Sequence, residues 1–197
     1  MAQYTPPVAR TVYRLKVTLR EVSPPVWRRI EIPASTYLDD LHLMIQAAMG
    51  WENFHLHKFV INGCDYGEPD PDYDDPPMEA GSQYTLRQLL RRAGSRFVYE
   101  YDFGDGWIHD VLLEKIVAPA PGVIYPVCVA GERACPPEDC GGPWGYGELL
   151  KIVTNPMHDD YDGFVEWLGG EFDPAVFDID EANGLLEDYR AMDAENW

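Results

Sequence analysis

The sequence predicts an α+β fold: a β-grasp-like, mostly antiparallel sheet crossed by one helix and followed by a helical C-terminal part. Three observations carry that expectation. Tyr13, Leu15, Val17 and Leu19 alternate with Arg14, Lys16, Thr18 and Arg20, the pattern of an antiparallel strand with one wet face. Pro24 and Pro25 end that run, and a second extended stretch, Val26 to Ile32, completes a hairpin. Leu38, Leu41, Ile45 and Ala48 then recur on one helical face, and a hairpin, a helix and a strand in succession is the β-grasp order.

The elements follow in turn. Thr36 offers a hydroxyl as helix N-cap with Asp39 at capping-box spacing, and Gly50 ends the helix. Lys58 to Asn62 is extended and turns at Asn62-Gly63 into an acidic loop that reaches about Ala80. Thr85 caps a short helix, LRQLLRRAG, with Leu86, Leu89 and Leu90 inward and Gly94 closing it. Phe97 to Phe103 and Trp107 to Val117 form a hairpin around Gly104-Asp105-Gly106. The proline-rich stretch 118–143 reads as irregular and leads to helices at about Tyr146 to Thr154, Tyr161 to Leu168 and Asp180 to Met192. Residues 1–117 thus make an α+β sheet core, and 118–197 pack on the same core as one domain.

Charge narrows the function classes. The 197-residue chain has 34 acidic and 15 basic residues, a net charge of −19 at pH 7. Such a field repels phosphate backbones, so direct nucleic-acid binding is disfavoured. The basic residues Arg10, Arg14, Lys16, Arg20, Arg28 and Arg29, with Arg87, Arg91, Arg92 and Arg96 as a second group, read as solvated faces of strands and a helix. The N-terminal residues lack a signal-peptide pattern. The longest uncharged run, Ile116 to Gly131, is broken by Pro119, Pro121 and Pro126 and is too short for a membrane helix. A cytoplasmic protein without a membrane partner is expected, with Cys64, Cys128, Cys135 and Cys140 as thiols or ligands.

The stretch YEYDFGDGWIHD, Tyr99 to Asp110, carries the most chemistry. Phe97, Tyr99, Tyr101 and Phe103 share one strand face, and Gly104 and Gly106 permit backbone angles that let Asp102, Asp105 and His109 converge at a sheet edge. His55 and His57, two apart on an extended segment, point the same way. If these five met, His55, His57, Asp102, Asp105 and His109 would be the candidate catalytic and metal set. Cys128, Cys135 and Cys140 with His109 form a second candidate set, for structural zinc, although their spacing lacks the two-residue gap of zinc knuckles. Reduced cysteines packed as small apolar groups are the favoured reading there. Trp51, Trp107 and Trp144 are candidate anchors for a partner.

Other signposts fail. Asp70, Asp72, Asp74 and Asp75 open like a calcium loop, but Asp75 stands where the turn glycine belongs and Gly81 where the bidentate Glu belongs. The chain has no P-loop and no G-x-S-x-G elbow.

Four blocks together, SPPVWRRIEIP at Ser23 to Pro33, GWENFHLHKF at Gly50 to Phe59, YEYDFGDGWIHD, and CPPEDCGGPWGY at Cys135 to Tyr146, resemble the plasmid pRiA4b Orf-three-like family. The likeness extends through WLGGEFDPAVFD at Trp167 to Asp178 and on to Asn183. The resemblance implies an α+β domain of uncharacterised activity, found in bacteria and archaea and often beside mobile elements, where members carry labels such as insertion-sequence passenger or TnpR. Recombinase chemistry does not suit these residues. It needs an activated hydroxyl among phosphate-holding arginines and a basic DNA-binding surface, whereas Arg28 and Arg29 are adjacent on a strand and face opposite sides. The resulting expectation is a non-enzymatic binding or accessory module with a protein or peptide partner. The alternatives are a metal-dependent hydrolase or nuclease, and a structural zinc protein.

Overall fold

A computed structural model describes residues 11–70 and 77–195. Arg10, the N-terminal segment read for a leader, and Asp72, Asp74 and Asp75 of the acidic loop lie outside the described residues. The chain forms strands β1 (Val12–Leu19) and β2 (Trp27–Pro33), helix α1 (Leu38–Met49), strands β3 (His57–Ile61), β4 (Cys64–Gly67) and β5 (Glu79–Ala80), and the short helix α2 (Leu86–Leu89). Strands β6 (Arg96–Tyr101), β7 (Trp107–Val117) and β8 (Val127–Glu132) follow, then helices α3 (Gly142–Val153), α4 (Tyr161–Trp167) and α5 (Ile179–Glu195).

All eight strands join one sheet in the order β5-β4-β3-β6-β7-β1-β2-β8. Every pairing is antiparallel except β4 with β5. The α+β class holds, with a mostly antiparallel sheet, a crossing helix and C-terminal helices. Alternation sets the two faces of the sheet. Leu15, Val17, Ile30, Ile32, Phe59, Tyr99, Tyr101, Trp107, Val111 and Leu113 point inward and are buried. Leu38, Leu41, Ile45 and Ala48 of α1 close over them, and Ala182 and Leu186 of α5 belong to the same cluster. The outer face is polar and paired: Arg14 bonds Glu31, and Arg29 makes a two-pronged contact with Glu114 at 2.7 and 2.9 Å.

Several local expectations are corrected. The stretch 118–143 contains β8, because the outer edge of β2 offers unpaired backbone groups that Val127 to Glu132 satisfy. The Asn62-Gly63 turn, with φ of 53° and 85°, does not open directly into a loop but closes a β3–β4 hairpin, since two left-handed residues match the strand twist. The N-cap of α1 is Tyr37, not Thr36. Leu38 N–H donates to the Tyr84 carbonyl and Leu86 N–H to that of Thr36, so backbone pairing replaces a side-chain cap. The helix begun at Thr85 has only four residues. It stops at Leu90, whose carbonyl accepts the Tyr13 hydroxyl, while Gly94 N–H turns to the Leu113 carbonyl. Helix α3 begins at Gly142, four residues before Tyr146, with a proline in its first turn. Among the described residues no helix is long and apolar enough to cross a membrane.

Candidate functional site at the sheet rim

The link between β6 and β7 is built on Asp102. This residue adopts φ of 53°, a left-handed conformation that ends the strand alternation and leaves Phe103 exposed rather than in line with Tyr101. Asp102 Oδ1 accepts the N–H groups of Gly104 and Asp105 at 2.9 and 3.2 Å, and its carbonyl accepts that of Gly106 at 2.6 Å. Of the two glycines only Gly106 is left-handed, with φ of 70°. The Asp102 N–H donates to the Leu56 carbonyl, tying the corner to the segment 51–57. Asp105 ties it to a third segment: its Oδ2 accepts the Gly141 N–H at 3.0 Å, and Gly142 lies so close to the Asp105 carbonyl that a Cβ would collide.

Three stretches distant in sequence, 51–57, 102–106 and 138–142, therefore meet at one rim. There His55 Nε2 lies 3.1 Å from Asp139 Oδ1 and 3.7 Å from Asp102 Oδ2. Beside them Glu138 Oε1 accepts the Tyr101 hydroxyl at 2.9 Å and the Glu52 N–H at 3.0 Å. Burial, followed by the bond to Glu138, raises the Tyr101 phenol above its ordinary range and keeps it protonated.

A buried polar network holds the 51–57 segment against α1. Gln46 Nε2 donates to the Tyr99 hydroxyl at 2.9 Å, and Gln46 Oε1 accepts the Asn53 N–H at 3.2 Å. His42 Nε2 lies 2.6 Å from Asn53 Oδ1 and Nδ1 lies 2.7 Å from the Tyr99 hydroxyl. An amide oxygen only accepts, so with this amide orientation Nε2 carries the proton and Nδ1 accepts from Tyr99. The network needs a neutral His42, and burial, which lowers its pKa to about 4, supplies one.

The five catalytic candidates do not all meet. His55 and Asp102 come together, and Asp105 braces the loop beside them. His57 turns away to stack on His42, because the bend at His55 breaks the extended geometry that would have aligned the two. His109 is fully buried, edge-on to Trp51 at 5.4 Å, with its pKa pushed down to about 4 by burial. The cysteine set does not assemble with it either. Among the described residues the one group of three ligand atoms mutually within 4.8 Å is His55, Asp102 and Asp139. Cys128, Cys135 and Cys140 are free thiols, and Cys128 Sγ turns to the Ala130 carbonyl within its own strand. Burial raises all three thiols, Cys140 to about 12. The neighbouring cation is the buried Arg28 guanidinium, stacked 4.1 Å from the Phe177 ring centroid.

Of the three tryptophans, Trp51 and Trp107 are core, with ring centroids 6.0 Å apart, and Trp51 Nε1 donates to the Pro136 carbonyl. Trp144 is 79% exposed on α3. Sequence reasoning missed His42, Gln46, Asn53, Glu138 and Asp139. For His42 and Gln46 a signal existed: two polar residues four apart beside the apolar stripe of a helix.

Next to the rim opens a cleft of about 1220 Å³ between the C-terminal end of α1, the 134–138 loop, residues 168–178 and α5. Its apolar surface includes Met49, Leu168, Phe172, Val176 and Leu185, and Glu52, Glu138, Glu171, Asp173, Glu181 and Asp188 supply its charge. The cleft and the rim meet at Glu138 and Glu52, which belong to both.

A sequence profile described as plasmid pRiA4b ORF-3-like protein matches residues 11–181, spanning the sheet, the rim and most of the cleft lining. The chain belongs to the plasmid pRiA4b ORF-3-like family. Within curated proteins it is 38% identical over 182 residues to the uncharacterized protein y4hQ of Sinorhizobium fredii, covering 92% of this chain and 93% of that one. The family fold is also seen in the crystal structure of a protein of unknown function, MM3350 from Methanosarcina mazei Go1. The two share 40% identity and a TM-score of 0.78 over 87% of this chain and 96% of the other.

Proposed function

We propose that this family member is a non-enzymatic binding or accessory module, acting in the cytoplasm, whose cleft takes a basic, amphipathic segment of a protein or peptide partner. The observation that carries the reading is the composition of the cleft: an apolar floor ringed by carboxylates. Arg28, its one lining cation among the described residues, is buried and committed to the carbonyls of Ala48, Trp27 and Glu132. An apolar surface recovers free energy on burial, and a one-signed rim selects a partner of opposite charge and speeds its encounter. A volume above the usual range for small-molecule sites suits a stretch of polypeptide. The net charge of −19 argues against nucleic acid. The family's plasmid-borne description supports an accessory role beside mobile genes.

The test is fluorescence anisotropy with two labelled amphipathic peptides of the same apolar pattern, one with Lys and one with Glu on its polar face, alongside size exclusion of the protein alone. The Lys peptide binds, and added salt weakens it; the Glu peptide does not bind. Equal binding of both, or of neither, overturns the proposal.

A further inference from the structure

The geometry points to a three-ligand site for a divalent transition cation at the rim, formed by His55 Nε2, Asp102 Oδ2 and Asp139 Oδ1. These atoms lie mutually within 4.8 Å and come from three separated segments that the corner hydrogen bonds hold together. One imidazole and two carboxylates make a nitrogen-and-oxygen donor set suited to Zn²⁺ or Mn²⁺. Three protein ligands leave further positions for water or a partner's group.

Two observations apart from the clustering point to a ligand. The Asp102 side chain is only 9% exposed; its Oδ1 is used by the corner, but Oδ2 has no hydrogen bond among the described residues and is aimed at His55. His55 Nε2 is itself buried, and neither carboxylate meets it in hydrogen-bond geometry. Leaving the buried His55 ring nitrogen unsatisfied costs about 1–3 kcal/mol, and a cation held with the Asp102 Oδ2 lone pair would satisfy it. Glu138 adds a further acceptor: its Oε2 is buried without a partner one residue from Asp139, while its Oε1 is occupied by Tyr101 and Glu52. The set differs from the one the sequence assembled, since Asp139 replaces His57, Asp105 and His109.

The site is independent of what fills the cleft. Its test is isothermal titration of the full chain, stripped with chelator, with ZnCl₂ and separately with MnCl₂, together with His55→Ala and Asp139→Asn. Circular dichroism checks that each variant is folded. Asp139 is 69% exposed in its side chain, so Asp139→Asn leaves the fold intact. The wild-type chain is expected to bind one equivalent of at least one cation, with Asp139→Asn weakening it about tenfold or more and His55→Ala abolishing it. A wild type that binds neither cation means the cluster is an ion pair only and overturns the proposal. Binding that survives both substitutions places the cation elsewhere and overturns it equally.

Discussion

The imidazoles of His42 and His57 lie parallel, 3.5 Å apart with 3° between their planes, beneath the sheet rim. Two stacked rings tolerate this contact only while neutral. Burial lowers both pKa values from 6.5, and for His57 the neighbouring His42 adds to the effect.

Acid should therefore destabilise the fold. In the unfolded chain these rings and His109 take up protons near pH 6.5, whereas folded His109 does so at about 4. Between those values the unfolded state binds more protons, so stability is full above 6.5 and is lost as the pH falls through the window. By about pH 5 His109 alone accounts for about 2 kcal/mol. Urea unfolding at about pH 7.5 and about pH 5 measures it, and His57→Phe should flatten the dependence. Equal stability at both pH values would contradict buried neutral imidazoles.

Tyr99→Phe removes the hydroxyl that serves both His42 and Gln46. Two buried polar groups then lose a partner, and the fold should lose about 1–3 kcal/mol. Hydrogen exchange should rise first at the Asn53 amide, which Gln46 accepts. An unchanged denaturation midpoint would show that the network is dispensable.

Trp107→Ala and Trp144→Ala should part company. Trp107 is fully buried beside Trp51 and Tyr146, so its loss should cost about 3–5 kcal/mol. Trp144 is 79% exposed, and its removal should stay within about 0.5 kcal/mol. Comparable losses in the two variants would refute this division.

Gly142→Ala tests the joint between α3 and the corner. Gly142 has φ of 67°, and its added Cβ would meet the Asp105 carbonyl, backbone that has little room to yield. The variant should lose thermal stability and become sensitive to protease in the 134–142 loop, while Gly147→Ala, with open space around its Cβ, should match wild type. A wild-type melting curve for Gly142→Ala would show that the loop does not rest on the corner.

Glu181→Lys with Asp188→Lys reverses two cleft charges on α5. The basic peptide should bind more weakly, and its salt dependence should shrink, at unchanged melting temperature. Retained affinity would place the partner off this face.

Periodic elements were legible in the sequence because they rest on short-range rules. The β1–β2 hairpin, α1 with its stop at Gly50, and the β6–β7 pair follow from alternation, helical spacing and turn glycines. So does the opposite facing of Arg28, buried, and Arg29, paired with Glu114. The edge strand β8 was harder, since its pairing depends on a partner far away along the chain. At the candidate site, His55 and Asp102 were legible as chemistry-bearing residues near punctuation, but Asp139 was not, because nothing local distinguishes it from other loop carboxylates.

Residue order by itself determined the α+β class, the family and the acidic character, all of which rest on composition, local period and contiguous motifs. Tertiary structure alone decided that His109, Trp51 and Trp107 are core, that His57 leaves His55 for His42, and that Asp139 joins Asp102. The reason is physical: a side chain's partners are set by long-range strand pairing and by the conformation of a few left-handed residues, which no sequence spacing encodes.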